Sequence, residues 1–234
     1  MARKRSRASF RAPNSVRRAA AAPRQRARDA VYQWLKRRIV LNELRPGDSL
    51  TELGLAAEAG CSQGTVREVL LRLQEDGLVV REGHRGTTVT GLDPEEAAEL
   101  LALRRRIEMR GAERAATRAT SGQVAEMRQL YAAMAAAARR GDEYEVLILD
   151  MEFHLALFRL AGLHALNQVL VRCMLHTHRS RLWAPSHRRP LAATASRHKP
   201  LLDHLAAGDG RALARVLGEH IDTIVDVAPQ SLVS

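Results

Sequence analysis

Residues 50–89 read LTELGLAAEAGCSQGTVREVLLRLQEDGLVVREGHRGTTV, and the punctuation of this stretch decides the fold of the first part of the chain. A short helix over about Thr51–Ala59 is expected to stop at Gly60, a residue suited to a left-handed helix end. Ser62 is placed to cap a second helix running to Asp76. In that helix Val66, Val69, Leu70 and Leu73 recur at i, i+3, i+4 and i+7, which makes one buried stripe. Gln63, Gly64, Thr65 and Arg67 occupy the first turn or project from the other face. Two helices joined by a tight, Gly-containing turn form a helix-turn-helix, whose second helix enters the DNA major groove by its N-terminal end. After Gly77, the β-prone runs Leu78–Arg81 and Gly86–Thr90 flank Glu82-Gly-His-Arg85 and predict a two-stranded wing.

Outward from this stretch, Val31, Trp34, Leu35, Ile39 and Val40 fall at helical spacing and predict a first helix over Asp29–Asn42. Pro46-Gly47 is a turn. Residues 1–28 mix Arg, Ala, Ser and Pro without periodicity and are expected to be disordered. The net charge of +11 points to nucleic acid, yet its location matters more. Ten of the 37 Lys and Arg lie in residues 1–28, which hold no acid, leaving 27 basic against 26 acidic groups. Residues 29–92 carry eight basic and nine acidic groups, so DNA contacts there must come from placement rather than bulk charge. The tail is either a salt-sensitive DNA-binding arm or a solvated extension. No apolar run approaches the ~20 residues of a membrane span, and the basic N-terminus lacks the apolar core of a secretory signal. Cys61 and Cys173 are expected to be reduced thiols of a cytoplasmic protein.

Asp93-Pro94-Glu95-Glu96 is a strong helix start and marks a domain boundary near 92. Beyond it the pattern is helical throughout, with helices expected at roughly 94–119, 122–139, 142–161, 164–183, 191–207 and 210–228, then a tail over 229–234. Short links between long helices imply an antiparallel six-helix bundle, so the expected fold is mainly α, a winged helix-turn-helix followed by that bundle. The third bundle helix is almost wholly apolar in its middle, yet Asp150 and His154 interrupt it on one face. A buried carboxylate and imidazole cost several kcal/mol unless satisfied. They could satisfy each other as a local ion pair, or act as ligands with histidines elsewhere. His198 opens the fifth helix region, and His220 borders the apolar face of the last.

The run Ser62-Gln-Gly-Thr-Val-Arg-Glu-Val-Leu70, then Leu73-x-x-x-Gly77-Leu-Val79 and His84-Arg-Gly-x-x-Val89, resembles the winged helix of GntR-type bacterial regulators, as does the lead-in Leu44-Arg-Pro-Gly-Asp-Ser-Leu-Thr-Glu52. The Asp150-x-x-Phe-His154, His198-x-x-Leu-Leu-x-x-Leu-x-x-Gly-Asp209 and late-helix His220 elements resemble the FCD effector domain of the FadR subfamily, over about 93–228. The resemblance implies a DNA-binding transcriptional regulator, not an enzyme, acting as a homodimer on a two-fold symmetric operator. Ser62, Gln63, Gly64, Thr65 and Arg67 would meet the groove, with His84, Arg85 and Gly86 at the flanking backbone or minor groove. It also implies a divalent cation, Zn²⁺ first and Ni²⁺ or Mn²⁺ next, held by Asp150, His154, His198 and His220. Arg104, in Leu103-Arg-Arg-Arg-Ile-Glu108, matches a family Arg that faces the effector pocket and could grip a small carboxylate; a solvated or interface charge is its other reading. The expected function is repression relieved by that effector.

Three departures bear on this. Leu163 stands where relatives often have an effector-binding Asn, Pro200 leaves the geometry at His198 open, and Leu53 and Gln63 replace Arg in the DNA-binding half. His84, His164, His176, His178, His187 and His204 match no ligand element and are treated as ordinary residues, although one of them could reach the pocket. The rival class is a helical metal-dependent hydrolase, in which an open metal position activates water. A metal sensor, with the ion itself as signal, is a third reading.

Overall fold

The computed structural model describes residues 23–82, 86–183 and 189–223. Residues 1–22, the wing tip with His84 and Arg85, and the expected tail at 229–234 lie outside them. The chain forms two compact units that divide at Gly91–Leu92.

In the first unit, helix α1 spans Pro23–Val40. It starts earlier than Asp29, so residues 23–28 are helical rather than part of a disordered tail. Their side chains have partners that a pattern search does not see: Gln25 reaches Asp29 and Arg28 reaches Glu68. The buried face of α1 is Val31, Tyr32, Leu35, Ile39 and Val40. Trp34 is only half-buried, with Arg38 stacked on its ring at 4.9 Å. Helix α2 (Glu52–Ala59) is capped by the Thr51 hydroxyl, which accepts from the Gly54 N–H at 3.2 Å. It ends at Gly60 with φ +64°, a conformation that costs an L side chain roughly 1–2 kcal/mol. Helix α3 (Gln63–Glu75) is capped by Ser62, and Val66, Val69, Leu70 and Leu73 are its buried residues.

Strands β2 (Val79–Glu82) and β3 (Gly86–Val89) pair antiparallel as the wing. A third strand, β1 (Ser49–Leu50), pairs with β3 through Ser49↔Thr88 and Leu50↔Thr87. The sequence reading has no counterpart for β1, because two residues are too few to show period-2 alternation.

In the second unit the described helices are α4 (Pro94–Ala116), α5 (Ser121–Arg139), α6 (Glu143–Leu160), α7 (Asn167–Trp183), α8 (Leu191–Ser196), α9 (Lys199–Ala207) and α10 (Gly210–Asp222). A single 3₁₀ turn, His164–Leu166, leads into α7. The expected fifth helix is therefore two. Pro200 falls in the first turn of α9, where its missing N–H costs nothing, and His198 becomes the N-cap. Small residues let helices approach closely. A Cβ on Gly111 would fall 2.5 Å from the Phe158 ring, and one on Gly218 would fall 2.9 Å from Met109 Sδ, so α6 and α10 press directly on α4. Met127, Met134, Phe153, Leu157, Leu201, Leu205, Leu213, Leu217 and Ile221 fill the core between these helices.

Candidate metal centre and DNA-reading face

Asp150 and His154 lie one turn apart on α6, facing the interior because the apolar residues around them pull the whole helix inside. His198 arrives from the α8–α9 break and His220 from α10. One ligand atom from each of these four residues lies within 4.8 Å of every other, and all four residues are buried. Asp150 Oδ1 stands 3.1 Å from His198 Nε2, and His154 Nε2 stands 3.2 Å from His220 Nε2. Donors bonded at about 2.0–2.2 Å to one Zn²⁺ in tetrahedral geometry are separated by about that much.

Two of the imidazoles are already oriented. His154 Nδ1 meets the buried Glu108 carboxylate, and His198 Nδ1 lies 3.2 Å from the Thr194 carbonyl and 3.3 Å from that of Ala195. With Nδ1–H engaged, each Nε2 presents its lone pair to the cluster, the arrangement that orients metal-bound histidines. His198 Nε2, Asp150 Oδ2 and His220 Nδ1 are buried without an aligned hydrogen-bond partner. One carboxylate and three imidazoles gathered this closely, with the Nδ1 atoms of two rings engaged elsewhere, fit a divalent cation of the Zn²⁺ type. The local pairing of Asp150 with His154 does not form; Asp150 faces His178 and His198 instead. Burial pushes the Asp150 carboxyl up, but His178 and His198 outweigh it and hold it well below the usual carboxylate range. Burial, then His198 and His154, push His220 well below the usual imidazole value.

His178 and Glu108 also touch this cluster, although the sequence reading gives neither a role: His178 is one of several histidines that could reach the pocket, and Glu108 only closes the Arg104 element. His178 Nε2 lies 2.9 Å from Asp150 Oδ2. Its side chain, with Val146, Leu147, Leu182 and Thr194, lines a pocket that opens beside Asp150. Treating His176 and His178 as ordinary assumed that α7 buries one face. In the structure every residue from Cys173 to Arg179 is buried, so opposite faces both look inward. Leu170, Met174 and His178 share one side of the helix at i, i+4 and i+8, a signal available from spacing. Glu108 ties Arg104 to His154. Arg104 is fully buried, with Nε 2.6 Å from Glu108 Oε1 and Nη1 3.3 Å from Thr177 Oγ1. It is neither a solvated charge nor a surface interface charge, and its Nη2 has no hydrogen-bond partner. Burial pushes Glu108 up, yet His154 and Arg104 bring it down to about 2.

In the first unit, Ser62 Oγ accepts from the Thr65 N–H at 3.2 Å and lies 3.0 Å from Thr65 Oγ1. Gln63, Gly64 and Arg67 are exposed, and Thr65 is half-buried. Gly86 opens β3 with φ +79°, while His84 and Arg85 lie outside the described residues. Arg67 is not solitary: Glu52 on α2 takes its Nη2 at 2.7 Å, and the same carboxylate lies 3.3 Å from Arg81 Nη2 on β2. Among the described residues no helix is long and apolar enough to cross a membrane.

Comparison with known proteins places both units. Residues 27–89 match the gntR family of bacterial regulatory proteins, and residues 99–223 match the FCD domain. The chain is 26% identical over 208 residues to the HTH-type transcriptional repressor RspR of Escherichia coli, covering 89% of this chain and 91% of that one. It is 29% identical over 195 residues to a probable D-xylose utilization operon transcriptional repressor of Paenarthrobacter nicotinovorans, covering 82% and 84%. Among solved structures, a putative GntR regulator from Rhodococcus sp. RHA1 is similar with TM-score 0.67 and 28% identity, over 85% of this chain and 94% of that one. The E. coli McbR/YncC structure shares the fold, with TM-score 0.71 and 22% identity, over 84% and 93%. These relatives are transcription regulators rather than enzymes, which sets the hydrolase reading aside. The chain belongs to the GntR family of DNA-binding bacterial transcriptional regulators, in the FadR-like branch that carries an FCD domain.

Proposed function

We propose that this regulator is a repressor whose grip on DNA is released by a small carboxylate bound beside a metal ion in the FCD unit. The observation that carries the reading is the buried meeting of Asp150, His154, His198 and His220, with the Nδ1 atoms of His154 and His198 already committed elsewhere. These four residues would hold the cation, Zn²⁺ first, with Ni²⁺ or Mn²⁺ as substitutes. When bound, the cation supplies a Lewis-acidic point for an anionic ligand. Arg104 supplies a second, because its buried Nη2 lacks a partner that a carboxylate oxygen would provide. The aliphatic side chains of Val146, Leu147, Leu182 and Leu191 around the pocket beside Asp150 suit the carbon body of such a ligand.

The working form is a cytoplasmic homodimer, its two heads on a two-fold symmetric operator. Ser62, Gln63, Gly64, Thr65 and Arg67 meet the major groove, and His84, Arg85 and Gly86 meet the flanking backbone or minor groove. Effector binding favours one bundle arrangement over another, and coupling of this kind is typically ~1–3 kcal/mol. The test is a gel shift on the chain's own upstream DNA with metal-loaded protein, adding sugar acids, hydroxy acids and dicarboxylates in turn. Loss of a specific band with one of them is the expected result. No specific band at any salt concentration overturns the reading, and a band that responds to the metal alone makes the protein a metal sensor.

A further inference from the structure

Glu52 is an acid on a surface expected to meet a polyanion. From the first turn of α2 its carboxylate takes Arg67 Nε at 3.0 and 3.2 Å, Arg67 Nη2 at 2.7 Å and Arg81 Nη2 at 3.3 Å. One side chain thereby joins α2, α3 and wing strand β2. The contact is lopsided in exposure: the Glu52 side chain is 18% exposed, against 58% for Arg67 and 49% for Arg81. The acid sits back while the two guanidinium groups stand forward. Arg67 uses one edge, Nε and Nη2, on the carboxylate, which leaves Nη1 and the second Nη2 hydrogen available outward.

Stability alone is a poor account of this arrangement, since exposed ion pairs contribute little to folding. Affinity for any duplex is a worse one, because a carboxylate here offsets cationic charge that would otherwise neutralise phosphates. What the clamp does provide is order. A long, rotamer-rich side chain held along one edge loses its freedom before the partner arrives, so less is lost on binding. A guanidinium held in a set plane suits the bidentate reading of a guanine edge.

We propose that Glu52 is a positioning residue for operator recognition: it holds Arg67 in one orientation and links the wing's Arg81 to it, raising discrimination between sequences while lowering sequence-independent affinity. The proposal rests on the reading that the exposed face of α3 meets the groove. The test uses the full chain and a randomised duplex library, with Glu52→Gln, Arg67→Gln and the double variant. Wild type enriches a defined half-site. Glu52→Gln keeps the wild-type Tm and binds unselected duplex several-fold more tightly, with a salt slope steeper by about one ion. Its selected-to-unselected affinity ratio falls about tenfold, the low end of what one good base contact supplies. In the Arg67→Gln background the same change leaves the ratio where it was, because Glu52 acts through Arg67. Arg81→Gln, a milder surface change, lowers the ratio by a smaller factor and serves if Glu52→Gln fails to fold. An unchanged ratio in Glu52→Gln, or an equal fall with and without Arg67, overturns the proposal. A wild-type chain that enriches no sequence overturns the groove reading itself, and that outcome is distinct from either.

Discussion

In the winged-helix unit the charged side chains pair in the open: Arg67 and Arg81 on Glu52, Arg72 on Asp29, Arg28 on Glu68. The FCD unit has open pairs as well, such as Arg105 on Asp222 and Lys199 on Asp203, but it also pairs charges in the dark. Arg104, Glu108 and His154 form one chain of contacts, and Asp150 with His178 and His198 forms another, all of it buried. The difference separates two uses of charge. Open pairs contribute little stability and leave donors available to an approaching polyanion, so the first unit rests on its apolar stripe. Buried charges each need a partner, and removing one strands the others at a cost of roughly 3–5 kcal/mol. Such a network is tolerated where it performs a task, and under the proposed function that task is to hold a cation and an anion.

The largest effect is expected where the contrast is sharpest. His154→Ala or Asp150→Ala should reduce bound metal from stoichiometric to trace levels, read by elemental analysis after dialysis, while Arg67→Ala leaves it unchanged. Metal content equal to wild type in both ligand variants would remove the metal from the account. Next, Leu73→Ala in the first unit should cost about 2–5 kcal/mol in denaturant unfolding of that unit, since Leu73 is fully buried, without lowering bound metal. Glu108→Gln should weaken metal binding about 10- to 100-fold in a competition titration, because Glu108 orients the ligand His154 through its Nδ1 and is not itself a ligand.

Acid should separate the units by a smaller and graded effect. The folded Glu108 carboxyl titrates at about 2 against an ordinary 4.5, so its stabilisation is present above pH 4.5 and is lost as pH falls toward 2. Asp150 acts in the same direction. His220 is held neutral, below the ordinary 6.5, so acid that protonates it in the unfolded chain draws the equilibrium toward unfolding from about pH 6.5 downward. Denaturant curves of metal-free protein between pH 7 and about 2.5 should show the FCD unit weakening first; parallel loss in both units would break the comparison. The smallest effect is at a cap. Ser62→Ala should cost ~1 kcal/mol and leave the metal untouched.

Much of the first unit was legible because its determinants are local. Gly60, the Ser62 cap and the stripe from Val66 to Leu73 lie within fourteen residues of one another, and each acts on backbone a turn or less away. Strand β1 escaped because its partner lies some forty residues on and its own pattern is too short. In the second unit helix starts at Asp93 and Asp142 were equally plain from their caps. The break at His198 was only half legible: Pro200 allows either a kink or a new helix, and packing chose the new helix.

By itself the sequence determined that Asp150, His154, His198 and His220 exist at helical positions where burial would be costly, and the resemblance to FCD domains supplied their joint role. Only the tertiary structure decided that they meet, that His178 and not a ligand histidine lies against the second oxygen of Asp150, and that Arg104 is bound to Glu108 rather than open to solvent. The reason is physical. Periodicity states which face of a helix is apolar, but rotation and height of one helix against the next are set by close packing, such as Phe158 against Gly111 and Met109 against Gly218. Those contacts involve residues far apart in the chain, and no local pattern records them.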